Sequence, residues 1–296
     1  MTQATADRLD VEAWAADPDI SARSVLVTIF GDTVLPVTDS FWLAQLFRMT
    51  EVFGFSGRLI RTSMFRLAAE GWLTNERIGR QSRYSLTPLA VEESARASAR
   101  IYQDATPDWG GDWTLVLTNG DDSDAEVRRD LARRLGWRGF IDLGGTLASP
   151  TADPDATRAF LDEGSTGPAL AVATARFDDL DRLVGAGFFD RALDTAASHA
   201  AYRAFLDRYG PLAGDQPSDP LDAFAVRTAL IHDLRRIRLR SPDLPASLLP
   251  RDHAGTAAHG LAAGLYRHLS QRCAPVLSEI FEIDYPTRPP GRFDDR

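Results

Sequence analysis

The sequence contains one cysteine, Cys273, and no lysine at all. A single cysteine excludes an internal disulfide and any multi-cysteine zinc site. Its surroundings, Ser-Gln-Arg-Cys-Ala-Pro, match no nucleophile pattern, so Cys273 is expected to pack as a small hydrophobe. The lack of lysine makes all 33 basic residues arginine. GC-rich coding produces that bias as readily as function does, so it excludes nothing. No apolar run reaches the roughly 18 to 20 residues that cross a bilayer, and the acidic N-terminus lacks the basic-then-apolar order of a signal peptide. The expectation is a soluble, cytoplasmic chain with no membrane partner. Also missing are the HExxH pattern, a Gly-rich phosphate loop and a GxSxG elbow. Of the five histidines, His259 and His268 come nearest to a pair, and nine positions apart they share no helix face well. No metal, no cofactor and no enzymatic activity are therefore expected.

What is present is enough for several cores. The 296 residues are 44% hydrophobic, which fits roughly two or three domains. The net charge of −9 hides an uneven distribution. Residues 1–20 carry a net −4, whereas residues 54–85 and 225–240 each carry a net +4. Local basic patches, rather than the total, are what an anionic partner meets.

The chain reads as an α+β protein in three parts behind an arm. Residues 1–20, acidic and broken by Asp17-Pro18-Asp19, are expected to be flexible. Residues 21–105 read as three helices and a hairpin, followed by a linking helix over 88–104. The first helix runs from the cap Ser21 to Gly31, the second from Phe41 to Phe53. The third follows Ser56 and places Ile60, Met64, Leu67 and Gly71 on one face. After Gly71 the period becomes alternating over 72–78 and 81–87, with Gly79-Arg80 as the turn. This is the winged helix-turn-helix layout. Residues 106–196 give the order βαββαβ of a ferredoxin-like domain. Residues 197–296 are nearly all helical, at 199–209, 220–239 and 254–283, and end in a Pro-rich irregular tail; this part is expected to bind an effector and a partner subunit.

The third helix turns Arg58, Arg61, Thr62, Phe65 and Arg66 away from its apolar face. Arginine pairs bidentately with guanine O6 and N7, and Thr62 or Phe65 suits a thymine methyl. Arg77, Arg80 and Arg83 around the hairpin suit phosphate or minor-groove contacts. The bland alternative is a solvated amphipathic helix, but the adjoining basic hairpin favours double-stranded DNA. In the C-terminal part, His232 with Arg235, Arg236 and Arg238 forms a basic run whose guanidinium groups match phosphate oxygens. Its bland alternative is a solvated or ion-paired helix face.

Together these segments are similar to the phenylacetate-degradation repressor family, the PaaX-like proteins. The resemblance rests on Ile60-Arg-Thr-Ser-Met-Phe-Arg-Leu67, Gly71-Trp-Leu73, Gly79-Arg-Gln-Ser-Arg-Tyr-Ser-Leu-Thr87 and Arg100-Ile-Tyr102. Further along, Trp113-Thr-Leu-Val-Leu117, Tyr202-Arg-Ala-Phe-Leu-Asp-Arg-Tyr-Gly-Pro-Leu212, Leu230-Ile-His-Asp-Leu-Arg-Arg236 and Ser241–Pro250 follow in the family's order. It implies a homodimeric repressor of an aromatic- or organic-acid catabolic operon, released by an acyl-CoA effector such as phenylacetyl-CoA. For such an effector the basic run is expected to supply phosphate contacts at Arg235, Arg236 and Arg238, with His232 or His253 lining the acyl end, between the middle and C-terminal domains. The chain departs from the family at His253-Ala254-Gly255, where Trp-Pro-Gly is usual, at Leu234, where an aromatic is usual, and at Phe65, where a small polar residue is usual. A rival reading is a metal-dependent nuclease in the middle domain, with Asp121 and Asp122 after its first strand holding a hard cation. The same stretch is equally a turn with a helix cap.

Overall fold

The structure, a computed structural model, describes residues 9–103, 109–118, 125–136, 138–163, 170–185, 195–240, 244–245, 248–249 and 252–293. Helices and two small antiparallel sheets mix in it, as an α+β protein requires. Two compact units emerge. The first draws on Met1–Gln103, Arg203–Arg236 and Thr256–Arg296, the second on Asp104–Tyr202 and Ile237–Gly255. The C-terminal helices expected as a separate domain thus share a unit with the N-terminal elements.

The first unit opens with α1 (Val11–Ala15), whose cap Asp10 accepts from the Ala13 N–H. This corrects the flexible-arm expectation for residues 9–20: Val11, Trp14, Ala15 and Ile20 are all buried. Burial of Trp14 supplies the apolar area that a polar arm lacks, and its indole N–H finds the Asp233 carboxylate at 3.3 Å. Helix α2 (Ala22–Ile29) is capped by Ser21. It does not stop at Gly31 but continues into a π-helical turn over Phe30–Val34. A short strand β1 (Ser40–Trp42) precedes α3 (Leu43–Thr50). The strand replaces the expected start of the second helix because Phe41 pairs with Tyr84 across the sheet and stacks against Phe30 at 5.0 Å and Tyr84 at 6.1 Å.

Helix α4 (Gly57–Ala69) follows, then β2 (Leu73–Ile78) and β3 (Gln81–Leu86), in register with the hairpin read from the sequence. The sheet order is β1-β3-β2. Gly79 takes φ +62°, the conformation a tight two-residue turn asks of its first central residue. Helix α5 (Pro88–Tyr102) starts at the cap Thr87, with proline in its first turn.

In the second unit, β4 (Asp112–Thr118), α6 (Ala125–Gly136), β5 (Ile141–Asp142), β6 (Leu147–Ser149), α7 (Pro154–Glu163) and β7 (Leu170–Arg176) give an antiparallel sheet of order β5-β6-β4-β7. Alternation along β4 sends Val116 into a cluster with Leu131, Leu135 and Leu161 of the two helices. Trp113, on the opposite face, packs with Ile141, Ala148, Leu244 and Leu248. Helix α8 (Leu180–Gly185) follows β7. Asp121 and Asp122, the candidate nuclease carboxylates, lie outside the described residues.

Three longer helices complete the chain: α9 (Thr195–Tyr209), α10 (Pro220–Arg240) and α11 (Gly255–Phe281). The tail after α11 is irregular yet packed. Tyr285 and Phe293 are buried, and the Tyr285 hydroxyl donates to the Thr33 carbonyl at 2.8 Å.

Candidate functional site

Helix α4 is held by its cap and by its apolar side. The Ser56 hydroxyl accepts from the Leu59 N–H, and Ile60, Ser63, Met64 and Leu67 are buried. What remains faces out: Arg58, Arg61, Thr62, Phe65 and Arg66 are all exposed. Phe65 is 75% exposed, unusual for a phenylalanine in a helix that has a core to join. Two local contacts orient this face. The Arg61 guanidinium lies 4.9 Å over the Phe47 ring, and Thr62 donates to the Arg58 carbonyl at 3.0 Å. None of Arg58, Arg61 and Arg66 has a carboxylate partner among the described residues.

The hairpin continues the same chemistry. Arg77, Arg80 and Arg83 are exposed, and Ile78 at the tip is 44% exposed. Arg83 Nη2 donates to the Ser40 hydroxyl at 2.7 Å, which anchors one end of the guanidinium against β1. The outward helix face and the hairpin together carry six exposed arginines, none of them ion-paired with a carboxylate among the described residues. A surface of this kind attracts a polyanion and carries planar donors that match both base edges and phosphates.

The interior of the same unit uses arginine in the opposite way. Arg227 has 0% exposure, and its Nε stands 3.3 Å from Asp32 Oδ2, a carboxylate 2% exposed. Arg227 also donates to Thr33 Oγ1 at 3.0 Å and to Cys273 Sγ at 3.2 Å. Tyr102 and Tyr266 donate to Asp32 Oδ1 at 2.7 and 2.8 Å. Burial and the nearby Asp32 charge hold both phenols well above their ordinary pKa, so they remain donors. The π-helical turn lets Asp32 and Thr33 both serve this node, a frequent use of such turns. Sequence reasoning missed it, although a signal existed. Arg227 sits inside Ala223-Phe-Ala-Val-Arg-Thr-Ala-Leu-Ile231, and an arginine in so apolar a run needs a buried partner.

The seam between α2 and α10 continues from that node. Thr28 Oγ1 donates to the Ser24 carbonyl at 3.1 Å and lies 3.2 Å from His232 Nδ1. The hydroxyl proton being used, Nδ1–H is the donor to Thr28 and the ring is neutral. Burial, then Arg235 and Arg236, push His232 down to about 3. One residue on, Asp233 collects Trp14, Arg208 at 2.7 Å and Tyr209 at 2.9 Å.

The expected effector residues fall in both units. His232 is fully buried in the first unit, which corrects its assignment to the wall of a ligand cavity. Arg235 is half-buried beside Ser24, with Nη1 3.4 Å from its hydroxyl. Arg236 is half-buried, and Arg238, in the second unit, is buried. His253 also belongs to the second unit, where its Nδ1 accepts from the Gly255 N–H at 3.2 Å and its Nε2 lies 3.0 Å from Ser198 Oγ. The accepting Nδ1 puts the proton on Nε2, which donates to Ser198, while Ser198 itself donates to the Thr195 carbonyl. An imidazole in that tautomer is no base for the serine. Among the described residues no group of three His, Cys, Asp or Glu side chains is arranged to hold a metal ion. No described helix is long and apolar enough to cross a membrane.

The family profile described as PaaX-like protein matches residues 21–89, and that of the PaaX-like protein C-terminal domain matches residues 193–279. The transcriptional repressor PaaX of Escherichia coli (strain K12) is 31% identical over 281 residues, covering 92% of this chain and 88% of that protein. An uncharacterized protein from Mycobacterium tuberculosis superposes with a TM-score of 0.56 at 21% identity, covering 87% of this chain and 99% of that one. The latter likeness concerns the fold alone. With two family domains in order and a relative aligned along nearly its whole length, the chain belongs to the PaaX-like protein family.

Proposed function

We propose that this chain is a transcriptional repressor that binds double-stranded operator DNA as a homodimer and leaves it when an acyl-CoA thioester binds. The observation that carries the reading is the outward face of α4, with Arg58, Arg61, Thr62, Phe65 and Arg66 exposed beside the basic hairpin. In this reading α2, α3 and α4 with the β2–β3 hairpin are a winged helix-turn-helix, and the second unit is a ferredoxin-like domain. Strand order β5-β6-β4-β7 and the placement of both helices against one sheet face support the latter. Helix α4 enters the major groove, and the hairpin arginines hold the flanking phosphates. The repressor named among the relatives supports the function, and no comparison favours the nuclease alternative.

The test is an anisotropy titration against the DNA upstream of the chain's own operon, with scrambled DNA as reference. Each specific arginine–guanine pair is worth about 1 to 3 kcal/mol. Arg61→Ala is therefore expected to weaken cognate binding about tenfold to a hundredfold and to narrow the gap between cognate and scrambled DNA. Undiminished discrimination in Arg58→Ala, Arg61→Ala and Thr62→Ala alike rejects α4 as the reading helix.

A further inference from the structure

A cavity of about 90 Å³ opens between α11 and the tail that follows it. Tyr266, Arg267 and Ser270 of the helix line it, with Arg288, Arg292 and Phe293 of the tail. All six belong to the first unit. No aspartate or glutamate lines the cavity, in a chain whose 42 acidic residues outnumber its 33 basic ones.

On the buried side of Arg292 the charges do not balance. Its side chain is 9% exposed, and the carboxylate it faces, Asp32, is shared with Arg227. Arg227 Nε stands 3.3 Å from Asp32 Oδ2, whereas Arg292 Nε is 3.9 Å from Oδ1, beyond hydrogen-bond reach. The Oδ1 atom already accepts from Tyr102 and Tyr266. Among the described residues no other carboxylate pairs with either guanidinium. The remaining bonds of Arg292 go to carbonyls, Nη2 to Gly31 at 2.6 Å and Nη1 to Gly291 at 3.4 Å, and its Nε has no hydrogen-bond partner. Despite burial, Tyr102 and Asp32 hold its pKa above the ordinary value, so the charge is not shed by losing a proton. Two buried guanidinium groups on one carboxylate are unfavourable unless a further anion joins them.

Two more donors wait at the same cavity. Ser270 is 1% exposed; its hydroxyl accepts from Arg227 Nη1 at 3.4 Å and has no acceptor for its own proton among the described residues. Arg288 at the rim is exposed and makes no hydrogen bond or ion pair with a described residue.

We propose that this cavity binds the phosphate or carboxylate group of a small molecule, held by Arg288 and Arg292 with the Ser270 hydroxyl beneath. Guanidinium donors fit either oxyanion. The volume has room for a few water molecules and hence for one charged group, whereas a whole drug-sized ligand takes about 300 to 1,000 Å³. The rest of the molecule therefore lies outside, over the exposed rim at Arg288. Because Arg292 also bonds Gly31, beside Asp32, an occupied cavity braces the tail against the π-helical turn. The site stands on this geometry and does not depend on the repressor reading.

The experiment is calorimetry on the full chain in low-chloride buffer with inorganic phosphate, pyrophosphate, acetate and phenylacetate, beside thermal melts with each probe. Wild type is compared with Arg288→Ala, Ser270→Ala and Arg272→Ala. Arg272 is exposed on the same helix and does not line the cavity, so its loss removes the same charge elsewhere. The wild type is expected to bind at least one probe with a Kd below about 1 mM and to melt several degrees higher when saturated. Arg288→Ala should weaken that probe about tenfold or more, since a charge-assisted hydrogen bond is lost, while the probe-free melting temperature stays unchanged. Ser270→Ala should weaken it about threefold to tenfold. Arg272→Ala should change it by less than about twofold, because an exposed charge off the site is screened. A response to phosphate and pyrophosphate alone makes the bound group a phosphate, and a response to acetate and phenylacetate alone makes it a carboxylate; either supports the site. Failure of every probe to bind the wild type at about 10 mM overturns the proposal. So does an unchanged affinity in Arg288→Ala, or an equal loss in Arg272→Ala, which would assign the binding to overall charge.

Discussion

Arginine does two different jobs within one unit of this molecule. On α4 and the hairpin, six exposed guanidinium groups have no ion-pair partner among the described residues. In the interior, Arg227 is wholly buried and ringed by Asp32, Thr33, Ser270 and Cys273. The side chain is the same, and its surroundings decide its role. Where the protein satisfies the charge, arginine fixes the fold; where it does not, arginine is left for an external anion. Arg292 sits between these cases.

The comparison breaks most readily at the interior. Asp32→Ala leaves Arg227 charged and buried without its carboxylate, at an expected cost of about 3 to 5 kcal/mol in urea denaturation. The double change Asp32→Leu with Arg227→Met is expected to recover most of that loss, because a well-packed apolar pair often matches a buried ion pair. If Asp32→Ala unfolds at the wild-type urea concentration, the node is dispensable and the contrast with the surface arginines fails.

A smaller effect should come from acid. Folded, His232 titrates near 3, against an ordinary value near 6.5, because burial and neighbouring arginines disfavour its charge. Below pH 6.5 the unfolded chain takes up a proton that the folded chain refuses. The contribution is complete above about pH 6.5 and is lost progressively as the pH falls toward 3. At pH 5.5 the loss is about 1.4 kcal/mol. Comparing unfolding at pH 7.5 and 5.5 in wild type and His232→Gln checks it: the variant should show a shallower decline by that amount, and an identical decline assigns the acid sensitivity elsewhere.

The smallest change is expected on the surface. Arg83→Ala should weaken binding to every DNA sequence by one common factor below about tenfold, and reduce the slope of log affinity against log salt by about 1. A loss confined to the cognate sequence would instead make Arg83 a base reader.

Local features were legible in the sequence, and long-range ones were not. The hairpin over 73–86 could be read because alternation and Gly79-Arg80 are local signals. The buried face of α4 followed from the spacing of Ile60, Met64 and Leu67. Gly31 misled because the π-helical turn is stabilised by Asp32 and Thr33 meeting residues far along the chain. Phe41 misled because its strand exists only through pairing with Tyr84. Trp14 carried apolar area within an acidic stretch, and composition outweighed it in the reading. The basic run 225–240 was visible as a charge sum, but its arginines face different surroundings that the sum averages away. Arg227 is buried with Asp32, Arg235 lies beside Ser24, and Arg238 lies in the other unit.

The separation between Thr33 and Arg227 is 194 residues, and the Asp104–Tyr202 part of the second unit lies between them in the chain. At about 5 to 20 residues per second, a ribosome takes roughly 10 to 40 seconds to add that much chain. For that interval Asp32 has been made and its partner has not. The helices with the outward arginines therefore emerge early but acquire their internal support late, after Asp104–Tyr202 has been synthesised. A nascent or truncated chain exposes the basic surface without the scaffold that aims it, so the completed polypeptide is the first species able to present that surface in its final form.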